Sequence, residues 1–299
     1  MNSTTEIGEP PTTAANISQP DLSRAETSRQ PRRVRQIFAV MRLEIRKNFL
    51  SRRASLLYLV SLSPILLLSI FALFPPDPEN AENFSELSIA YAAIYGGLIL
   101  RTLVFFGCAW VFMNLFRGEV VDKSLHYYFL SPVRREVILI GKYLSGLLAA
   151  AALFSVTTVC TMLILYFWQA PTESARFFFD GAGAGQLLAY LGVTNLACLG
   201  YGAVFLLLGL FFRNPIIPAL MLYGWEWINF LLPPLLKKVS VIHYLQSLVP
   251  VNMPEGPLAV LVEPTPAWIA VPSLFLFTGV VLFLASLHIR RIEISYAGD

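Results

Sequence analysis

Arg101 and Glu226 are the two charges of this 299-residue chain that fall clearly in the middle of long apolar runs. A charge near the centre of a bilayer costs about 2.5–3.5 kcal/mol on insertion scales, so each needs a physical reason. Arg101 lies near the middle of the second run and Glu226 near the middle of the fifth, at similar depth. That predicts an intramembrane charge pair, within one chain or between two copies, that opens or re-forms during a working cycle. The alternatives are a static structural pair, or two charges that face a water-filled cavity separately. Tyr223, Trp225, Trp227 and Phe230 flank Glu226. Such residues are common in membrane helices and are expected to pack or form a belt here, not a ligand cage.

Signatures of enzymatic chemistry are missing. Gly141-Lys142 lacks both the upstream glycine and the following hydroxyl of a phosphate-binding loop. The sequence has neither HExxH nor GxSxG. His126, His243 and His288 are far apart and fall on different predicted sides, which excludes a three-histidine metal site under that topology. Cys108, Cys160 and Cys198 all lie in apolar stretches and read as small buried hydrophobes. The alternating glycines Gly181, Gly183 and Gly185 follow no strand and read as a flexible joint. The expectation is a chain that is not an enzyme, binds no cofactor itself and has no nucleic-acid partner.

The elements that position these residues follow from composition. The chain is 56% hydrophobic and 14% charged, with mean hydropathy +0.62; a soluble domain carries about 25% charged residues. Lipid is the solvent that resolves the shortage of polar surface. The expected fold is all-α, a polytopic membrane bundle of six transmembrane helices preceded by an interfacial amphipathic helix. The spans run from about 54 to 74, 87 to 116, 137 to 168, 186 to 212, 215 to 236 and 267 to 288, each near the roughly 20 residues that cross a bilayer core. Residues 1–31 are expected to be a disordered cytoplasmic tail, 32–53 the interfacial helix and 54–299 the membrane domain. In that helix Val34, Phe38, Met41, Ile45 and Phe49 share an apolar face beside a stripe of Arg35, Arg42, Arg46 and Arg53.

Loop charges orient the bundle. Of the 22 Lys and Arg, only Arg176, Lys237 and Lys238 fall on the outer side and Arg101 within a span. This bias places both termini in the cytoplasm of a multi-pass protein of the cell membrane. Between the last two spans, Ser240 to Leu248 reads as a short helix. Pro250, Pro254, Pro257, Pro264 and Pro266 then keep the chain irregular, as an outer cap or a re-entrant element.

The inner segment between spans two and three is the richest in signals. It runs Arg117-Gly118-Glu119-Val120-Val121-Asp122-Lys123-Ser124-Leu125, then Leu130-Ser131-Pro132-Val133-Arg134-Arg135-Glu136, then Gly141-Lys142-Tyr143. A short amphipathic element, a break at proline and a new helix present both charge signs, a surface suited to docking a partner protein. This run, the basic helix before span one, the six spans and the broken element between spans five and six resemble the permease subunits of type-2 ABC transporters, over about residues 32–291.

The resemblance implies a permease, expected to be an exporter, that works as a dimer with a second copy or a paralogue in the lipid bilayer. A separate cytosolic ABC ATPase subunit would bind ATP and Mg. Glu119, Asp122, Lys123, Ser124 and Leu125 would form the ATPase-coupling helix, with Arg134 and Arg135 flanking the contact. Alternatives are a membrane enzyme acting on lipid and a non-transporting scaffold or assembly factor.

Overall fold

A computed structural model describes residues 29–49, 54–73, 84–121, 134–169, 171–212, 214–238, 240–251 and 265–291. Among them every regular element is helical. Helix α1 is Arg29–Phe49 and α2 is Ser55–Ala72. Helix α3 (Phe84–Ile94) continues through a π-helical stretch, Tyr95–Val104, into α4 (Phe105–Val121). Helix α5 is Arg135–Gln169, α6 Pro171–Asp180 and α7 Gly183–Phe211. Helix α8 (Ile216–Trp227) runs into a 3-10 turn, Ile228–Leu231; α9 is Pro234–Lys237, α10 Val241–Ser247 and α11 Ala267–Arg291.

Among the described residues four helices are long and apolar enough to cross a membrane: Glu86–Phe116, Arg135–Trp168, Gly183–Phe211 and Ala267–Arg290. These are the second, third, fourth and sixth of the predicted spans, and they make the chain a membrane protein. The other two differ from expectation. In place of span one stands α2, whose 18 residues reach about 27 Å at 1.5 Å per residue. In place of span five stands the 12-residue α8, about 18 Å long. Pro233 and Pro234 stop the helical run there, because proline lacks the N–H that would continue it. Apolar side chains point outward from both short helices, among them Leu59, Leu66 and Phe71 on α2 and Ile217 and Met221 on α8.

Helix α7 is the hub: it packs against α4, α5 and α11. Gly202 lets the Phe112 ring of α4 press onto it; a Cβ there would lie 2.5 Å from that ring. Away from α1, hydroxyl groups join the helices. Ser61 Oγ and Thr157 Oγ1 are 2.7 Å apart, Tyr91 donates to Thr158 O (3.1 Å), and Tyr95 Oη meets Tyr190 O (3.0 Å) and Thr194 Oγ1 (2.9 Å). Bonds of this kind contribute about 0.6 kcal/mol each within a membrane bundle.

Helix α1 lies along α5. Its inward face carries Ile37, Val40 and Glu44, while Arg35, Arg42 and Arg46 stay exposed as a stripe. Phe38, expected on the apolar face, is 59% exposed beside the arginines. Close approach is possible because Gly141 has no side chain: a Cβ there would lie 2.9 Å from Val40. One residue on, Lys142 Nζ reaches Glu44 Oε1 at 2.8 Å and Leu115 O at 3.0 Å, with both ionic partners buried. The next residue, Tyr143, donates to Leu199 O of α7 at 2.9 Å.

The ion pair makes a prediction. Lys142→Met removes the ammonium that answers the buried Glu44 carboxylate, and breaking a buried pair from one side costs about 3–5 kcal/mol. The thermal midpoint of the chain in mild detergent should fall sharply, and adding Glu44→Gln should recover most of the loss. A Lys142→Met chain that melts with the parent would show that the pair does not hold α1.

Candidate functional site

Two parts of the bundle concentrate polar chemistry away from water. One is the clasp around Lys142. The other surrounds Arg101 and Glu226.

Arg101 sits near the middle of the Glu86–Phe116 helix, within the π-helical stretch. A π turn spaces its hydrogen bonds five residues apart and rotates the side chains that follow it. Thr102 Oγ1 donates back over that five-residue spacing to Gly97 O at 3.0 Å. The Arg101 guanidinium is carried over the Trp227 ring, 5.9 Å from its centroid. Its Nε is buried and has no hydrogen-bond partner.

Glu226 is buried at the far end of α8. Its carboxylate accepts from Ser240 Oγ (2.5 Å), Val241 N (3.2 Å) and Ile242 N (3.1 Å). Val241 and Ile242 open α10, so these are amide groups that a helix leaves without internal partners. Ser240 is the N-cap residue, yet its hydroxyl makes no cap bond of its own. It turns to Glu226, and the carboxylate caps the helix from across the chain. Charge-assisted bonds of this type are about twice as strong as neutral ones. The predicted short helix at 240–248 is thus present, buried against α7 and α11.

Arg101 and Glu226 therefore share a neighbourhood without touching. Both act electrostatically on the buried Tyr201 hydroxyl, which has the Glu226 carboxylate as a neighbour. The carboxylate is occupied by Ser240 and α10, whereas the guanidinium keeps an unanswered donor.

A groove adjoins this region. It has a volume of about 280 Å³ and almost wholly apolar walls, formed by Leu57 and Val60 of α2, Phe106 and Trp110 of α4, and Ala219 and Leu220 of α8. The Phe106 and Tyr223 rings meet at a tilt (4.6 Å between centroids), and Tyr223 lies 6.3 Å from Trp227. Aromatic rings thus run from the groove to the face under Arg101. Of the aromatic residues flanking Glu226, Tyr223 packs against Phe105, Phe106 and Trp227, and Trp227 also meets the cation.

Of the predicted coupling residues, Glu119 lies in the last turn of α4. Asp122, Lys123, Ser124 and Leu125 are outside the described residues. Arg134 is exposed just before α5, and its carbonyl accepts from Val137 N at 2.9 Å. Arg135 donates from Nη1 to Ile289 O and Arg290 O, both at 3.3 Å, and Arg290 pairs with Glu136 at 2.6 Å. Arg135 thus fastens the start of α5 to the end of α11. Sequence reasoning missed the Glu44–Lys142 pair. A signal was there: Glu44 is the one acidic residue between Arg29 and Arg53.

Among the described residues no group of three metal-ligating side chains comes together. Compared with known proteins, the chain matches no family model and no curated protein.

Glu226 gives the second prediction. Glu226→Ala removes the acceptor of three buried donors, at about 1–3 kcal/mol for each group left unsatisfied. Amide hydrogen exchange over Val241–Ser247 should accelerate while α7 stays protected, and Glu226→Gln should lose less. Unchanged exchange in Glu226→Ala would mean that the carboxylate does not cap α10.

Proposed function

We propose that the chain is the membrane-spanning permease subunit of an ATP-driven transporter of the type-2 ABC class, working as an exporter in the cell membrane. On this reading the bundle counts six spans. Helix α2 and the short α8, with the chain that follows each, complete the first and fifth. Both termini lie in the cytoplasm. A second copy or a paralogue completes the translocation unit, and a separate cytosolic ATPase supplies ATP chemistry with Mg²⁺.

One observation carries the reading. Gly141, Lys142 and Tyr143, part of the motif that suggests the family, are the residues at which α1, α4, α5 and α7 are fastened. The segment between Val121 and Arg134 joins α4 directly to α5. A force applied to it by a docked partner is delivered to helices that move together. ATP binding in the partner shifts the bundle only if the partner binds one bundle state more tightly than the other; Glu119, Asp122, Lys123, Ser124 and Leu125 would supply that differential contact. The groove between α2, α4 and α8 supports a pathway along spans one, two and five. Arg101 and Glu226, near each other yet unpaired, suit a charge pair that re-forms when the pathway empties.

The test is retention and coupling. A tagged chain purified in mild detergent should retain an ATPase subunit. Reversing Glu119 and Asp122 to Lys should weaken that association by at least about 2 kcal/mol, roughly 30-fold, or uncouple hydrolysis from transport, with membrane insertion intact. A chain that never retains an ATPase, or reversals that leave binding and transport unchanged, would remove the reading. Turnover of a lipid without ATP would favour an enzyme instead.

A further inference from the structure

We propose that the groove between α2, α4 and α8 takes an amphiphile with an acidic head, carboxylate or phosphate, and that Arg101 is the residue that reads the head. The inference rests on the transporter reading and names the class of its cargo.

Three charges set within the bundle, Lys142, Glu226 and the half-buried Arg101, divide into answered and unanswered. Lys142 has Glu44 and Leu115 O. Glu226 has Ser240 and two amides. Arg101 has an aromatic face and, beyond contact distance, a carboxylate committed elsewhere. Its Nε is buried without an acceptor among the described residues. An anion answers it. A guanidinium also suits this task better than an ammonium would, because its planar fork bonds a carboxylate or phosphate in two places at once.

The groove supplies the other half of the ligand. Phe106 follows Arg101 by five residues on the same continuous helix, about 7 Å further along. Trp227 and Tyr223 bridge the same interval on α8. Trp227 is 44% exposed, so the approach to the guanidinium opens from the side of the bundle. A molecule that fills the apolar groove and extends along the rings presents its head at Arg101. A cationic head would be repelled there, and a neutral one would leave the guanidinium only partly answered.

The probe is a fluorescent acid, 11-(dansylamino)undecanoate, bound to the full chain in phosphatidylcholine nanodiscs. Dodecyl phosphate and dodecanoate should displace it at concentrations at least tenfold below those needed for dodecyltrimethylammonium. Arg101→Gln should erase that preference, Arg101→Lys should restore part of it, and Ala219→Trp should weaken all three competitors by filling the groove. Phosphatidylglycerol added to the disc distinguishes the source of the head. Competition by it marks an acidic membrane lipid, and no competition marks a single-chain acid; either agrees with the proposal. Equal displacement by the cation and the acids in the parent chain, or an intact preference in Arg101→Gln, would overturn it. The assay contains no ATPase. A chain that selects acids yet never retains an ATPase would defeat the transporter reading, and the reverse result would defeat only the acidic cargo.

Discussion

The ammonium of Lys142 is the fixed point of the bundle. Burying a lone charge costs several kcal/mol even after relaxation, so the helices around it must supply its partners wherever it goes. Three elements meet that demand: α1 through Glu44, α4 through Leu115 O and the Phe116 ring at 5.2 Å, and α5 as the carrier. Gly141 removes the one side chain that would hold α1 away from α5. Neither residue works without the other. The glycine without the lysine gives a close helix pair with nothing to set its register; the lysine without the glycine cannot bring its charge to Glu44. The same corner is closed again by Arg135 on the final turn of α11 and by Arg290 on Glu136. First and last described helices are thus both anchored to the opening turns of α5.

Glu226 solves the same problem in a different way. Its partners are backbone amides and a serine, so its charge is spent on starting a helix and not on joining a cation. This allows a chain broken by Pro233 and Pro234 to re-enter the protein interior. Non-helical backbone at that depth must be covered by protein or line a cavity, and α10 is covered by α7 and α11. The consequence is felt at Arg101. A carboxylate engaged three times has little left to offer a neighbouring guanidinium, and so the half-buried Arg101 keeps an Nε–H without an acceptor among the described residues.

Much of this was readable in advance, and the limits have physical causes. Four spans were legible because each combines length and apolarity in one unbroken run. The short helix after Ser240 was legible from the prolines that bound it. The fifth run was not, because hydropathy counts Leu231, Leu232, Leu235 and Leu236 alike on either side of a break that only backbone geometry enforces. The π-helical stretch leaves no mark in composition, since one extra residue in a turn changes no residue type. Arg101 and Glu226 stood out at once as charges in apolar surroundings, but the pair expected from their similar depth is not formed, because Glu226 is bonded to Ser240 and the start of α10. What each one touches depends on how α8 and α10 fold back, which no local pattern records. The outward turn of Phe38 has a similar origin: Glu44 must face Lys142, and that rotates the whole of α1.

These constraints give the bundle an uneven stiffness. Helices α1, α4 and α5 meet at a buried ion pair, the Tyr143 bond ties α5 to α7, and α4, α5 and α7 supply most of the apolar core. Helix α8 has only two buried residues, Ala219 against the groove and Glu226 at the far end. Segments with few buried contacts are the ones that open at least cost. A helix held at its end by Glu226 and only lightly along its length can swing about that attachment. Ala219 and Leu220 are walls of the groove and Trp227 is the face beneath Arg101, so any swing alters the groove and the surroundings of the guanidinium together. The apolar and the charged halves of the site are therefore coupled by a single short helix, and the stiff corner around Lys142 is what that helix moves against.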